Sequence, residues 1–143
     1  MVAWVHSCVQ VRKPMSQYLP ELTVFFDGVC PMCSREIAHY RNLPGAEKIE
    51  WVNIYQAKER LEQEGLSFDD ALALFHVRDR QGRWHIGVPG FIAVWSVLRP
   101  YRALGWLCRT LRLGGPLNFF YVRFAKWRLQ RQQRCGDQCA PPK

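Results

Sequence analysis

The sequence predicts an α/β protein, a sheet flanked by helices, with a basic helical extension at its C-terminal end. Three observations lead to this prediction. Apolar, β-rich runs alternate with helical patterns over residues 22–98, and a Cys-x-x-Cys pair follows the first of these runs. Positive charge is concentrated in the last third of the chain. The length of 143 residues is that of a single domain, and a hydrophobic content of 48% is enough for a core.

The first predicted strand and helix bracket the cysteine pair. Residues 22–26, LTVFF, form a continuous apolar run that is typical of a buried strand. Asp27-Gly28 is a turn signal. Cys30 then takes the N-cap position of a helix, because Pro31 suits the first helical position, where no backbone N–H is needed. The pattern predicts that this helix ends near Leu43.

The remaining elements complete the predicted sheet. Residues 49–54 indicate a second strand, and residues 56–64 a short polar helix. Residues 71–77 and 83–86 flank a turn and indicate a third and fourth strand paired as a hairpin. Residues 91–98 indicate a closing helix. The order β-α-β-α-β-β-α is the thioredoxin topology, so we expect a thioredoxin-like sheet.

Beyond Pro100 the sequence predicts two amphipathic helices separated by a Gly-Gly-Pro break. Their apolar stripes are Tyr101, Leu104, Cys108 and Leu111 in the first helix, and Leu117, Phe120, Tyr121, Phe124 and Trp127 in the second. We therefore divide the chain into a loose tail (1–20), a thioredoxin-like domain (21–99), a helical extension (100–134) and a flexible cysteine-containing tail (135–143).

The net charge of +8 is unevenly distributed. Residues 1–98 carry ten basic and eleven acidic side chains, and residues 99–143 carry ten basic and one acidic, so the two parts hold −1 and +9. A basic extension on a neutral body predicts an anionic membrane surface or an acidic partner, unless it is only a solvated face. No specific nucleic acid is predicted, because no nucleic-acid-binding motif accompanies the charge.

Hydropathy and the N-terminal sequence bear on location. No uncharged apolar run reaches the ~18 residues of a membrane-spanning helix. The first residues lack both the basic start and the cleavage site of a signal peptide. We therefore expect a cytoplasmic protein, with peripheral contact with a membrane left open. Stable structural disulfides are rare in the cytoplasm.

The cysteine pair carries the chemistry. A helix N-terminus favours a thiolate, so the pattern predicts that Cys30 is an exposed attacking thiol and Cys33 the resolving thiol. Asp27 either exchanges a proton with the sulfurs or only forms the turn. The substrate is then a protein or small-molecule disulfide or thiol, and no cofactor is required.

Two alternatives to catalysis remain at this point. Cys30 and Cys33 have the spacing of half a zinc site, which Cys135 and Cys139 would complete, although the mobility expected of that tail disfavours a metal. We instead expect Cys135 and Cys139 to be an accessory pair outside the main site, which forms a local disulfide or relays electrons to Cys30. In the second alternative the cysteine pair is structural, and the chain is a non-catalytic interaction protein that binds its partner through the basic helices.

The residues around the pair also resemble those of a known family. Asp27-Gly28-Val29-Cys30-Pro31-Met32-Cys33 is similar to the Asp-x-x-Cys-x-x-Cys motif of the DCC family of predicted thiol-disulfide oxidoreductases. Looser similarity continues at Asp79-x-x-Gly82-Arg83, Gly87, Tyr101-Arg102 and the stretch Tyr121–Arg128, so it covers roughly residues 22–130.

This resemblance implies a thioredoxin-like fold with Asp27, Cys30 and Cys33 at the site. The sequence departs from ordinary thioredoxins in one respect. They carry a cis-proline just before the third strand, whereas residues 67–70 precede the predicted strand here and contain no proline. Substrate docking in the manner of thioredoxin is therefore not expected.

Overall fold

The structure, a computed structural model, describes residues 19–135 of the chain. Its elements in chain order are β1 (Leu22–Phe26), α1 (Pro31–Arg41), β2 (Ile49–Asn53), α2 (Lys58–Gln63), α3 (Phe68–Ala73), β3 (His76–Asp79), β4 (Trp84–Ile86), α4 (Val88–Val97), α5 (Arg102–Thr110) and α6 (Gly114–Cys135). Residues 1–18 and 136–143, with Cys8 and Cys139, lie outside the described residues, so most of the predicted tails 1–20 and 135–143 is not described.

The strands form one mixed sheet in the order β2-β1-β3-β4. β1 runs parallel to β2, with Val24 opposite Trp51, and antiparallel to β3, with Val24 opposite Val77. β3 and β4 form the predicted antiparallel hairpin. Helices flank this sheet and α5 and α6 follow it, so the predicted thioredoxin-like α/β fold with a C-terminal helical extension is confirmed.

Alternation along β1 divides the core between the two sheet faces. Val24 and Phe26 pack with α1 and α4, where Ile37 and Val94 are buried. Phe25 points the other way and packs in a second cluster with α2 and α3. Because β1 is central and buried on both faces, its C-terminal end is held rigidly, and the cysteine pair begins four residues beyond it.

The prediction that residues 71–77 form the third strand is wrong. Residues 68–73 form α3, and β3 begins only at His76. The physical reason is an N-cap: the Ser67 hydroxyl accepts a hydrogen bond from the Asp70 backbone N–H at 3.1 Å and donates one to the Asp70 carboxylate at 2.7 Å. Phe68, Ala71 and Leu72 then recur at helical spacing, and Ala71 is buried in the core.

The extension packs on the closing helix α4, which begins at Val88 rather than at residue 91. Gly87 has φ +70° and precedes it, and the Asn118 side chain of α6 accepts a hydrogen bond from Val88 N at 3.1 Å. Cys108 of α5 and Ile92 of α4 are buried together in a third cluster. Within the described residues no helix is long and apolar enough to cross a bilayer.

Candidate active site

The turn after β1 positions the first cysteine. The Asp27 Oδ1 atom accepts hydrogen bonds from the backbone N–H groups of Val29, at 3.0 Å, and Cys30, at 3.1 Å. Cys30 has extended backbone angles and is the N-cap of α1, and Pro31 occupies the first helical position, as predicted. The turn role considered for Asp27 is therefore present, and its buried carboxylate lies beside the pair.

The same turn is fixed against the sheet. The Ser34 hydroxyl donates to the Gly28 carbonyl at 2.9 Å, which joins the first turn of α1 to the loop. Gly28 leaves no room for a Cβ atom, because that atom would collide with the Asn53 side chain at the end of β2. A larger residue would therefore force either the Asn53 side chain or the loop that presents Cys30 to move.

Cys30 and Cys33 interact directly, and this interaction shifts their pKa values in opposite directions. The pKa of Cys30 is lowered to about 6, chiefly by the hydrogen bond from the Cys33 thiol. Burial of Cys30 opposes this effect. The backbone N–H groups of Cys33 and Met32 and the positive charge of Arg128 lower the pKa further. The pKa of Cys33 is raised, because its proton is held by Cys30 and because burial disfavours its thiolate. The two thiols therefore titrate as one coupled pair, in which the helix N-terminus favours the thiolate at Cys30.

The expectation that Cys30 is exposed is wrong. Only 3% of Cys30 is exposed, whereas Cys33 is partly exposed. The prediction assumed a helix N-terminus open to solvent, but other parts of the chain also reach this helix end, among them Arg128 of α6, which contacts Cys33. A helix end is exposed only if no later element packs there, and the sequence does not show where α6 packs.

Arg128 is a residue of the candidate site that the sequence analysis did not single out. Its Nη1 atom donates to the Cys33 Sγ atom at 2.8 Å, and its Nη2 atom donates to the Leu72 carbonyl at 2.7 Å. Its Nε atom is buried and has no hydrogen-bond partner among the described residues. The available signal was its spacing from Tyr121 and Ala125, which places a basic side chain on the inward side of α6.

A cavity of about 60 Å³ adjoins Cys33, Asp27 and Arg128. Such a volume holds a few water molecules. Aromatic side chains line much of it: Phe25, Phe26, Phe75, Phe91, Tyr121 and Phe124. Phe75 directly precedes β3, so an aromatic ring, and not a proline, occupies this position at the cavity.

The described residues contain no cluster of three or more histidine, cysteine, aspartate or glutamate side chains that suits a metal. Cys108, a third free cysteine, is buried between α4 and α5 and belongs to a different cluster. For the zinc alternative, Cys135 is the last residue of α6 and Cys139 lies outside the described residues. The predicted accessory role of these two cysteines stays a prediction.

Cys30 and Cys33 lie at the first turn of α1, the helix that follows the central strand β1 of a thioredoxin-like sheet. This arrangement places the chain in the thioredoxin-like class of proteins that carry a dithiol. The model of the family described as DCC1-like thiol-disulfide oxidoreductase matches residues 24–134, and the chain belongs to this family. The resemblance noted in the sequence is thereby confirmed. No curated protein and no solved structure matches the chain significantly.

Proposed function

We propose that the protein catalyses thiol-disulfide exchange through Cys30 and Cys33, with Cys30 as the attacking thiol. The observation that carries this proposal is the position of Cys30 at the N-cap of α1, where the Cys33 thiol and the first-turn N–H groups lower its pKa to about 6 and favour its thiolate near neutral pH. The thiolate is the nucleophile in disulfide exchange, and a thiol is not.

The reaction balances as two exchanges. Because Cys30 is buried, the groups that cover its sulfur must first move aside. The Cys30 thiolate then attacks one sulfur of a substrate disulfide, a mixed disulfide forms, and the other substrate sulfur leaves as a thiolate. Cys33 then loses its proton to that leaving thiolate or to the Asp27 carboxylate and attacks the Cys30 sulfur. The second substrate thiolate leaves, Cys30 and Cys33 form a disulfide, and two electrons have passed to the substrate. The reverse sequence oxidises a substrate dithiol.

Arg128 supports the second exchange in this proposal. Burial disfavours the Cys33 thiolate that must form, and the guanidinium at 2.8 Å from Sγ opposes that effect. Its contact with Leu72 holds it in place through both steps.

The roles of the two cysteines are tested by trapping with glutathione disulfide. We expect Cys33→Ser to accumulate a mixed disulfide with glutathione at Cys30, because the resolving thiol is missing, and Cys30→Ser to accumulate none. Cys108→Ser is the matched control, since it removes a free cysteine outside the site. A mixed disulfide at Cys33 in the Cys30→Ser variant, formed as fast as the one at Cys30, would refute the assignment.

The pH dependence of alkylation tests the lowered pKa of Cys30. The rate of iodoacetamide reaction at Cys30, followed by peptide mass spectrometry, is expected to reach half its maximum near pH 6. Cys108 in the same sample supplies an internal comparison. A midpoint near the ordinary thiol value of ~8.5 would contradict the proposed mechanism.

A further inference from the structure

α6 carries an apolar stripe that the rest of the described protein leaves uncovered. Its members are Leu117, Phe120, Phe124 and Trp127, which are 41%, 68%, 40% and 48% exposed. Their spacing of three and four residues places them along one side of the helix. A different side of α6, with Tyr121 and Ala125, packs on the body of the protein. Four large neighbouring apolar side chains in water mark an interaction surface.

Basic side chains accompany this stripe. Arg123 is exposed and lies three residues from Phe120 and four from Trp127, so it borders the stripe. The Arg131 guanidinium lies 4.5 Å from the centroid of the Trp127 ring, and Lys126 is exposed farther round α6. Residues 99–135, which include the whole of α5 and α6, contain no acidic residue. The partner of this surface must therefore be negatively charged and must also accept large apolar side chains.

We propose that α6 binds the surface of an anionic phospholipid bilayer, with the stripe in the headgroup region and the basic side chains at the lipid phosphates. A bilayer surface supplies both chemistries along the 22 residues of α6: an apolar phase for the aromatic rings and a layer of negative charge. An acidic protein segment supplies the charge but no continuous apolar phase.

The position of the stripe gives this binding a consequence for the site. Phe124 belongs to the stripe and also lines the cavity at Cys33. Met32, which follows Pro31 in α1, is exposed and lines the same cavity. A bilayer on the stripe therefore lies at the rim of the thiol cavity, and disulfides at the membrane surface become its nearest substrates.

Co-sedimentation of the full chain with vesicles tests the proposal. We expect binding to an equimolar mixture of phosphatidylcholine and phosphatidylserine, weaker binding as salt rises, and little binding to phosphatidylcholine alone. Arg123→Gln/Lys126→Gln should weaken binding about fivefold for each charge removed. Arg35→Gln/Lys58→Gln removes the same charge from another part of the protein and should change binding less.

The contribution of the stripe is tested separately. Phe120→Ser should weaken vesicle binding roughly tenfold, because it removes an aromatic side chain from the bilayer. Ile86→Ser, which changes an exposed apolar residue on β4, should leave binding unchanged. Absence of binding to anionic vesicles would overturn the proposal. So would a stable dimer in gel filtration that Phe120→Ser dissociates, since a second copy of the chain would then cover the stripe.

Discussion

Cys30 and Cys33 titrate as a coupled pair, and neighbouring groups decide which sulfur becomes the thiolate more readily. The first-turn N–H groups of α1 favour a thiolate at Cys30, whereas Asp27 and burial disfavour one at Cys33. Arg128 acts on both sulfurs, and it belongs to the helix most distant in sequence from the pair. The residues that tune the dithiol therefore come from both ends of the described chain.

Arg128→Gln should raise the pKa of Cys30 by about one unit, because a neighbouring positive charge is lost. The reduced dithiol is then less stable relative to the disulfide, because its thiolate is less stabilised. The reduction potential of the Cys30–Cys33 pair should therefore fall by roughly 30 mV. Thiolate absorbance during titration and equilibrium with a glutathione buffer measure these two quantities.

Arg131→Gln is the matched control for this change. It removes the same charge from the same helix, but Arg131 lies over Trp127 and is not among the groups that shift the pKa of either cysteine. Equal effects of the two substitutions would show that overall charge, and not the contact with Cys33, sets the titration of the pair.

Two roles of Asp27 can be tested separately: its hydrogen bonds within the turn, and the negative charge of its carboxylate. An asparagine Oδ1 atom can accept the same hydrogen bonds from Val29 and Cys30, so Asp27→Asn should keep the melting temperature while slowing exchange and altering its pH dependence. Asp27→Ala also removes the hydrogen bonds and should lower the stability by about 1–2 kcal/mol. If Asp27→Asn exchanges at the original rate, the carboxylate serves the turn alone.

At the scale of elements, α3 connects the fold to the site. Its last turn supplies the Leu72 carbonyl that holds Arg128, and its N-terminus depends on Ser67. Ser67→Ala should destabilise the protein by about 1 kcal/mol, which is a decrease of roughly 4 °C in melting temperature. The alkylation rate of Cys30 should remain unchanged, because the loss falls at the end of α3 away from Leu72.

Ser67→Asn provides the comparison for this substitution, since asparagine also caps helices well. Calorimetry should place its melting temperature close to that of the original protein. A large loss of stability in both variants would show that Ser67 contributes through something other than the cap.

The elements that the sequence predicted correctly are those whose signals are local. Residues 22–26 are apolar throughout, and Cys30-Pro31 marks a helix start, so β1 and the start of α1 were placed correctly. Residues 71–77 were misassigned because an apolar run of this length fits a helix or a strand, and the decisive contact between Ser67 and Asp70 lies just upstream. The contact between Arg128 and Cys33 spans 95 positions, and no local pattern contains it.

For the molecule as a whole, the proposed dithiol–disulfide exchange would couple redox state to stability. In the reduced protein the pKa of Cys30 is about 6, against ~8.5 in an unfolded chain. Because the folded pKa is the lower one, this stabilisation is complete above the unfolded pKa and is lost as the pH falls through about 6. Folding raises the pKa of Cys33. This group therefore destabilises the folded state only as the pH approaches the pKa that Cys33 has in the unfolded chain. The oxidised protein has neither contribution.

The free energy of unfolding of the reduced form, relative to the oxidised form, should therefore rise by roughly 1–3 kcal/mol between about pH 6 and pH 8. Other titrations cancel in this difference: burial lowers the pKa of His76, but His76 titrates in both redox forms. The loop closed by the disulfide adds a constant that does not depend on pH.

Urea unfolding of both forms across this range measures the difference, and Cys30→Ser/Cys33→Ser should show no dependence on added reductant. A difference that stays constant with pH would mean that folding does not stabilise the Cys30 thiolate, and the proposed attacking role of Cys30 would lose its physical basis.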